Sequence, residues 1–201
     1  MAINPFEFYP HNIIDTCAVW NILSSKILFS RADSSGIMFY CTKFVVYECL
    51  YKQRSESKDC HLKLKNYLQQ LMGQGKFASL SLSVEDLHEI DRLSSRKRLG
   101  KGELSTLAFA MKTGQAFLSD DQKARKLASS VLPAGRTQTT PHLFSWLIFG
   151  GKISDSEKKQ VIEEHQANDG DISPHLEAAY IEGCRCRYTV ASTSCQASPK
   201  F

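Results

Sequence analysis

Ala116-Phe117-Leu118-Ser119-Asp120-Asp121-Gln122-Lys123-Ala124-Arg125 is the stretch that decides the fold class. Three apolar residues read as a short buried strand, two acids end it, and Gln122 to Ser129 reads as a helix. The same order stands near the N-terminus. Asn12-Ile13-Ile14 is an apolar strand closed by Asp15, Thr16 reads as an N-cap, and Ala18 to Leu23 suits a helix with Val19, Trp20 and Leu23 turned inward. Between these two units lie more of the same kind. Ile37 to Tyr40 follows Gly36 as a strand, and Thr42 caps a helix reaching about Lys52. Residues 53–60 are polar and read as a loop. Leu62, Leu64, Leu68 and Leu71 mark a helix closed by Gly73 and Gly75. Phe77 to Leu82 reads as a strand, and Val84 to Leu93 as a helix with Val84, Leu87 and Ile90 on one face. A basic loop over 94–102 leads into a helix from Glu103 to Lys112, with Gly114 as its C′ residue.

Strands alternating with helices predict an α/β fold, a mostly parallel sheet with helices on both faces. In such sheets, ligands gather at the carboxyl ends of the strands. Asp15 and Asp120-Asp121 both fall there. Downstream, Pro133 and Gly135 mark a turn, 142–149 is a strongly apolar helix, and Ser154 with Glu157 forms a capping box for a further helix. Beyond 166 the chain turns rich in Asn, Asp, Gly and Ser. A short helix around His175–Ile181 is expected there, with the last 20 residues loosely ordered.

A length of 201 residues suits one domain with an appendage. No apolar run approaches the roughly 20 residues of a membrane helix. Met1 to Glu7 lacks a basic region followed by an apolar core, so no signal peptide is expected. The seven cysteines form no disulfide-like framework and read as reduced thiols, which points to a cytoplasmic setting. Cys184 and Cys186 with Cys195, and Cys60-His61, contain zinc-ligand types but not paired Cys-x-x-Cys spacing. Charge is uneven: residues 1–150 hold 19 Lys+Arg against 13 Asp+Glu, and residues 151–201 hold 6 against 8. The basic first part favours a polyanionic partner.

Four acidic positions sit in apolar surroundings: Asp15, Glu48, Glu103 and the Asp120-Asp121 pair. Glu48 shares a helical face with Phe44 and Tyr51, and Glu103 with Leu107 and Ala110. Both therefore point toward the body of the protein or its edge. No Lys or Arg adjoins Asp15 or Glu48. Carboxylates in apolar surroundings need a positive partner, and a divalent cation serves several at once. An all-oxygen set suits Mg²⁺ or Mn²⁺. Thr16 and Ser119 stand beside the aspartates and can supply supporting hydrogen bonds. Arg96, Lys97, Arg98, Lys101, Lys123 and Arg125 can receive a phosphate backbone.

These residues, in this order, resemble the PIN-domain ribonucleases, nearest their prokaryotic toxin-like (VapC-like) branch. The resemblance rests on Ile13-Ile14-Asp15-Thr16, on Val45 to Leu50 around Glu48, on Leu99 to Ala108 around Gly102-Glu103, and on Leu118 to Arg125. It covers roughly residues 10–150 and implies a three-layer α/β/α sandwich, the nuclease domain, over residues 1–150. The residues beyond it predict a C-terminal helix over 151–165 packed on that domain and a partly disordered extension over 166–201. The resemblance implies a metal-dependent endoribonuclease with Asp15, Glu48, Glu103 and Asp121 as catalytic acids. One or two Mg²⁺ or Mn²⁺ ions would sit among Asp15, Glu103 and Asp121, with Glu48 completing the site and Asp120 an accessory or alternate ligand. The partner would be single-stranded or loop RNA. A toxin setting would add an antitoxin protein covering the cleft, and the resemblance is also compatible with a homodimer. Two departures stand out: Cys41-Thr42-Lys43 replaces a frequent proline before the Glu48 helix, and residues 166–201 have no counterpart.

Two rivals come from other classes. A catalytically silent PIN-like scaffold would bind RNA or protein without cutting, although all its acids are present. A HAD-like phosphatase also begins on a strand-end aspartate. It needs a second carboxylate two residues later, where this chain has Cys17.

Overall fold

A computed structural model describes residues 4–52, 59–94 and 99–196. Five strands and ten helices follow one another among these residues. β1 (His11–Ile14) leads to α1 (Thr16–Leu23) and α2 (Lys26–Ser34). β2 (Met38–Thr42) leads to α3 (Lys43–Leu50) and α4 (Asp59–Gly73). β3 (Phe77–Leu80) is followed by α5 (Val84–Ser94) and α6 (Lys101–Thr113), then β4 (Ala116–Leu118) by α7 (Gln122–Val131). β5 (Thr137–Gln138) precedes α8 (Thr140–Phe149), α9 (Asp155–Ala167) and α10 (Ser173–Gln196). The strands form one sheet in the order β3-β2-β1-β4-β5, every pair parallel. The expected α/β architecture, helices on both faces of a parallel sheet, is therefore the one found.

The period of two along each strand builds the two cores. Ile14, Phe39, Cys41, Phe77 and Leu118 face one way, into a core shared with α1 to α4 and α8 to α10. Ile13 and Phe117 face the other way, into a core shared with α5, α6 and α7. Phe29, Phe39 and Phe77 stack in the first of these, with centroids 5.4–6.4 Å apart.

Three elements differ from the sequence reading. α2 was not expected; it starts at Ser25, whose hydroxyl accepts from the Leu28 amide at 3.1 Å, and it buries only Leu28, Phe29 and Ala32. β5 was not expected either, because its two residues are polar. Gln138 is held by hydrogen bonds, with Oε1 accepting from the Tyr9 amide at 2.7 Å and Nε2 donating to Asn12 Oδ1. The largest difference is α10. Where a short helix and a loose tail were expected, one helix runs from Ser173 to Gln196. It lies closely on α8: a Cβ at Gly183 would meet the Ser145 carbonyl oxygen at 2.7 Å and Ile148 Cβ at 3.0 Å. Glycine at 183 permits that approach, while the same residue weakens the helical signal in the sequence.

Candidate functional site

The strand order fixes where a crevice can open. The chain runs outward from β1 through β2 to β3, then returns to the other side of β1 as β4. The connections leaving β1 and β4 go to opposite faces, so their carboxyl ends part. Register pairs Ile14 with Leu118, and the Asp15 amide donates to the Leu118 carbonyl at 3.2 Å. Asp15 and the Ser119-Asp120-Asp121 run therefore meet at this point.

Asp15, not Thr16, is the N-cap of α1. Its backbone is extended (φ −86°, ψ 175°), and its Oδ1 accepts from the Ala18 amide at 3.0 Å and from the Cys17 thiol at 3.1 Å. Aspartate competes for a helix start as well as threonine does, and the strand ends one residue earlier than a Thr16 cap requires. The residue is fully buried, and Oδ2 has no hydrogen-bond partner among the described residues. Burial pushes the Asp15 carboxyl up to about 7. The Ser119 hydroxyl, the Ala18 amide and the Cys17 thiol act against the rise, and the charge of Asp120 adds to it.

Freed from capping, the Thr16 hydroxyl donates to Glu48 Oε2 at 2.5 Å. Glu48 Oε1 accepts from the Gly102 amide at 3.2 Å. This carboxylate thus ties α1, α3 and the first turn of α6 together. Gly102 makes the approach possible, since a Cβ there would stand 2.3 Å from Glu48 Oε2. One residue on, Glu103 Oε2 accepts from the Gly100 amide at 2.7 Å, the N3-to-cap half of a capping box. Glu103 is half-buried, and burial raises its carboxyl above the usual range. The Gly100 amide and Lys123 oppose the rise, whereas Asp121 and Glu48 reinforce it.

Asp121 caps α7, its Oδ1 accepting from the Ala124 amide at 2.8 Å, and its own amide donates to Ser119 Oγ at 3.1 Å. Asp120 is turned differently. Its Oδ1 accepts from the Thr140 amide at 2.9 Å, and its Oδ2 accepts from the Thr140 hydroxyl at 2.6 Å and from Asn21 Nδ2 at 2.8 Å. It fastens the start of α8 to α1 and has no oxygen left without a bond.

A pattern emerges from these bonds. Asp15, Glu103 and Asp121 each give one carboxylate oxygen to a helix start, which fixes the side chain. The second oxygen of each carries no hydrogen bond among the described residues. That donor set, all oxygen and anionic, suits a hard divalent cation. The acids are not drawn tightly together: among the described residues, the trio of ligand atoms found within 4.8 Å of one another is Cys60, His61 and Asp169, a separate group.

The basic residues divide. Lys101 is exposed, its ammonium 5.8 Å from the centre of the Phe44 ring, and Lys123 is exposed on the first turn of α7. Arg125 is half-buried and donates to the carbonyls of Asp120 and Ser119, so it braces the loop after β4. Arg96, Lys97 and Arg98 lie outside the described residues. Arg125 and Asp120 also line a groove of about 430 Å³, with Tyr9, His142, Asp171 and His175 among its other walls.

Sequence reasoning missed Gly102, Asn21, Thr140 and this groove. Gly102 had a signal, the Gly-Lys-Gly run before Glu103, but its reason lies in Glu48, 54 residues away. No helix among the described residues is long and apolar enough to cross a membrane. Compared with protein-family models and with curated proteins, the chain has no match in either.

Proposed function

We propose that this chain is a PIN-like, Mg²⁺- or Mn²⁺-dependent endoribonuclease that hydrolyses phosphodiester bonds of single-stranded or loop RNA. The observation that carries the reading is Asp15 Oδ2, a fully buried carboxylate oxygen without a hydrogen-bond partner among the described residues, at the β1–β4 parting where the charge of Asp120 also acts on it. Such an atom is costly unless something positive meets it. Asp15, Glu103 and Asp121 are the residues to hold a cation, each with one oxygen fixed by a helix start and one to offer. A bound Mg²⁺ or Mn²⁺ would supply an activated water and neutralise charge on the leaving oxygen.

The remaining residues position. Glu48 holds the first turns of α1 and α6 at a set distance through Thr16 and Gly102. Ser119 does the same for Asp121 through its backbone amide. Asp120 keeps Thr140 and Asn21 in place and supports the crevice from behind. Lys101 and Lys123, both exposed at helix starts flanking the acids, receive the phosphates of an unstacked strand. The phosphatase alternative lacks its second carboxylate, and the Cys17 thiol there donates to Asp15 instead.

The test is cleavage of a single-stranded RNA oligonucleotide by the wild type in Mn²⁺, in Mg²⁺ and in EDTA, beside Asp15→Asn. Cleavage that needs the cation and is lost in the variant supports the reading. RNA binding without cleavage, unchanged in Asp15→Asn, would move the assignment to the silent scaffold.

A further inference from the structure

Three side chains of metal-ligating type meet away from the carboxylates just described. Cys60 and His61 stand in the first turn of α4, and Asp169 stands in the turn between α9 and α10. Their ligand atoms all lie within 4.8 Å of one another. The Cys60 thiol donates to Asp169 Oδ2 at 3.6 Å. His61 Nδ1 is shut off from solvent and has no hydrogen-bond partner among the described residues.

The turn that carries Asp169 is firmly held. Asn168 Nδ2 donates to the Ser24 and Glu164 carbonyls, both at 2.9 Å, and the Gly170 amide donates to the His165 carbonyl at 2.9 Å. Asp169 itself adopts φ +58°, a left-handed conformation that few residues other than glycine, Asn and Asp tolerate. Its carboxylate is thereby presented from a fixed backbone toward α4. Beyond that first turn, α4 is anchored by Leu64, Leu68 and Leu71, which sit in the same core as Ile162 and Ile172.

We infer that Cys60, His61 and Asp169 form a second metal site, selective for Zn²⁺, that clips the start of α4 to the α9–α10 turn. The donors are one sulfur, one imidazole nitrogen and one carboxylate oxygen. That mixture suits a borderline-soft ion, whereas Mg²⁺ and Mn²⁺ prefer oxygen throughout. Binding releases the Cys60 thiol proton to solvent, so thiolate and carboxylate together balance the charge of the ion. Three protein ligands leave the fourth tetrahedral position to water. The clip joins segments 109 residues apart and is independent of the nuclease reading.

The test uses the full chain, stripped with chelator and titrated with Co²⁺ as a spectroscopic stand-in, then with Zn²⁺. The expected result is one equivalent of Co²⁺ bound with a thiolate-to-cobalt charge-transfer band, displaced by Zn²⁺ and not by excess Mg²⁺. Cys60→Ser abolishes the band, and Asp169→Asn weakens affinity by about tenfold or more, while Asp15→Asn leaves both unchanged. A second measurement needs no variant: Zn²⁺ should slow alkylation of Cys60 in the wild type, read by peptide mass mapping, with Cys17 and Cys184 unaffected. No charge-transfer band, a band that persists in Cys60→Ser, or a Cys60 alkylation rate indifferent to Zn²⁺ would each overturn the site.

Discussion

The two ends of α1 hold the two most instructive buried polar groups in the molecule. At its start, Asp15 is fully buried with one oxygen bonded and one bare. At its end, Ser24 meets His165, 1% exposed, and nothing is left bare. His165 Nε2 accepts from the Ile172 amide at 3.2 Å, so Nδ1 carries the proton and donates to Ser24 Oγ at 2.6 Å. The Ser24 proton then goes to the Asn21 carbonyl at 2.6 Å. Burial favours the neutral form of both groups, pushing Asp15 up and His165 down. The difference is closure. A polar network that closes on itself fixes one packing; an open one leaves an acceptor for a water, a proton or a cation to meet.

The largest test of that contrast is Asp15→Asn in the metal-free protein. Asparagine keeps an acceptor for the Ala18 amide, so the cap survives. Asp15 in the fold titrates near 7, above its ordinary 3.8, so its favourable contribution is full below about pH 4 and is lost as pH rises through 7. The variant should therefore gain stability over the wild type in EDTA as pH rises, toward a ceiling of about 4 kcal/mol near pH 8. Mn²⁺ should restore the wild type and leave the variant unmoved. Urea denaturation at several pH values reads both. A gap that stays flat with pH would show that the bare oxygen carries no strain, and the contrast with His165 would collapse.

His165 should behave in the opposite sense. Its folded pKa is depressed by burial, so its contribution is present above about pH 6.5 and is lost as pH falls below that. His165→Leu should flatten this acid limb. It also leaves the Ile172 amide without an acceptor, at a cost of about 1–3 kcal/mol near pH 7.5. Gly170→Ala attacks the same group by sterics, since its Cβ would fall 2.1 Å from the His165 ring. A locked ring cannot step aside, so a comparable loss of about 1–3 kcal/mol is expected. Neither change should alter stabilisation by Mn²⁺, and a change in that response would couple the two ends of α1.

The same contrast explains what could be read in the sequence. Strand-acid-helix order at Ile14-Asp15 and Leu118 to Gln122 is local, and it placed the sheet, the crevice and the acids at its mouth. The Ser154–Glu157 capping box and the Thr42 cap were legible for the same reason. What escaped depends on partners far along the chain. Asp120 and Asp121 are neighbours, yet one caps α7 and the other is held by Thr140 and Asn21. Two polar residues in β5 gave no apolar signal because Gln138 is held by Tyr9 and Asn12. α10 was foreshortened because Gly183, unfavourable for an isolated helix, is favoured by the close packing on α8.

Gly102→Ala is the mildest change to the fold and reaches the site only through Glu48. The added Cβ would stand 2.3 Å from Glu48 Oε2, but that atom is the far end of a flexible side chain and can swing away. Alanine also favours the helix more than glycine does, by less in this first turn than the roughly 1 kcal/mol of a helix interior, so the net change in stability should stay within about 1 kcal/mol. Glu48, however, loses both the Gly102 amide and the Thr16 hydroxyl when it moves. Under the nuclease reading, Mn²⁺-dependent RNA cleavage should fall about tenfold or more, as happens when groups supporting metal ligands are displaced. Thr16→Val removes one of those bonds without the steric push and should give a smaller loss in the same direction. Cleavage rates beside melting temperatures for the two variants separate the effects. If Gly102→Ala cuts RNA as fast as the wild type, the Glu48 carboxylate serves only to join α3 to α6, and the open end of α1 does not depend on it.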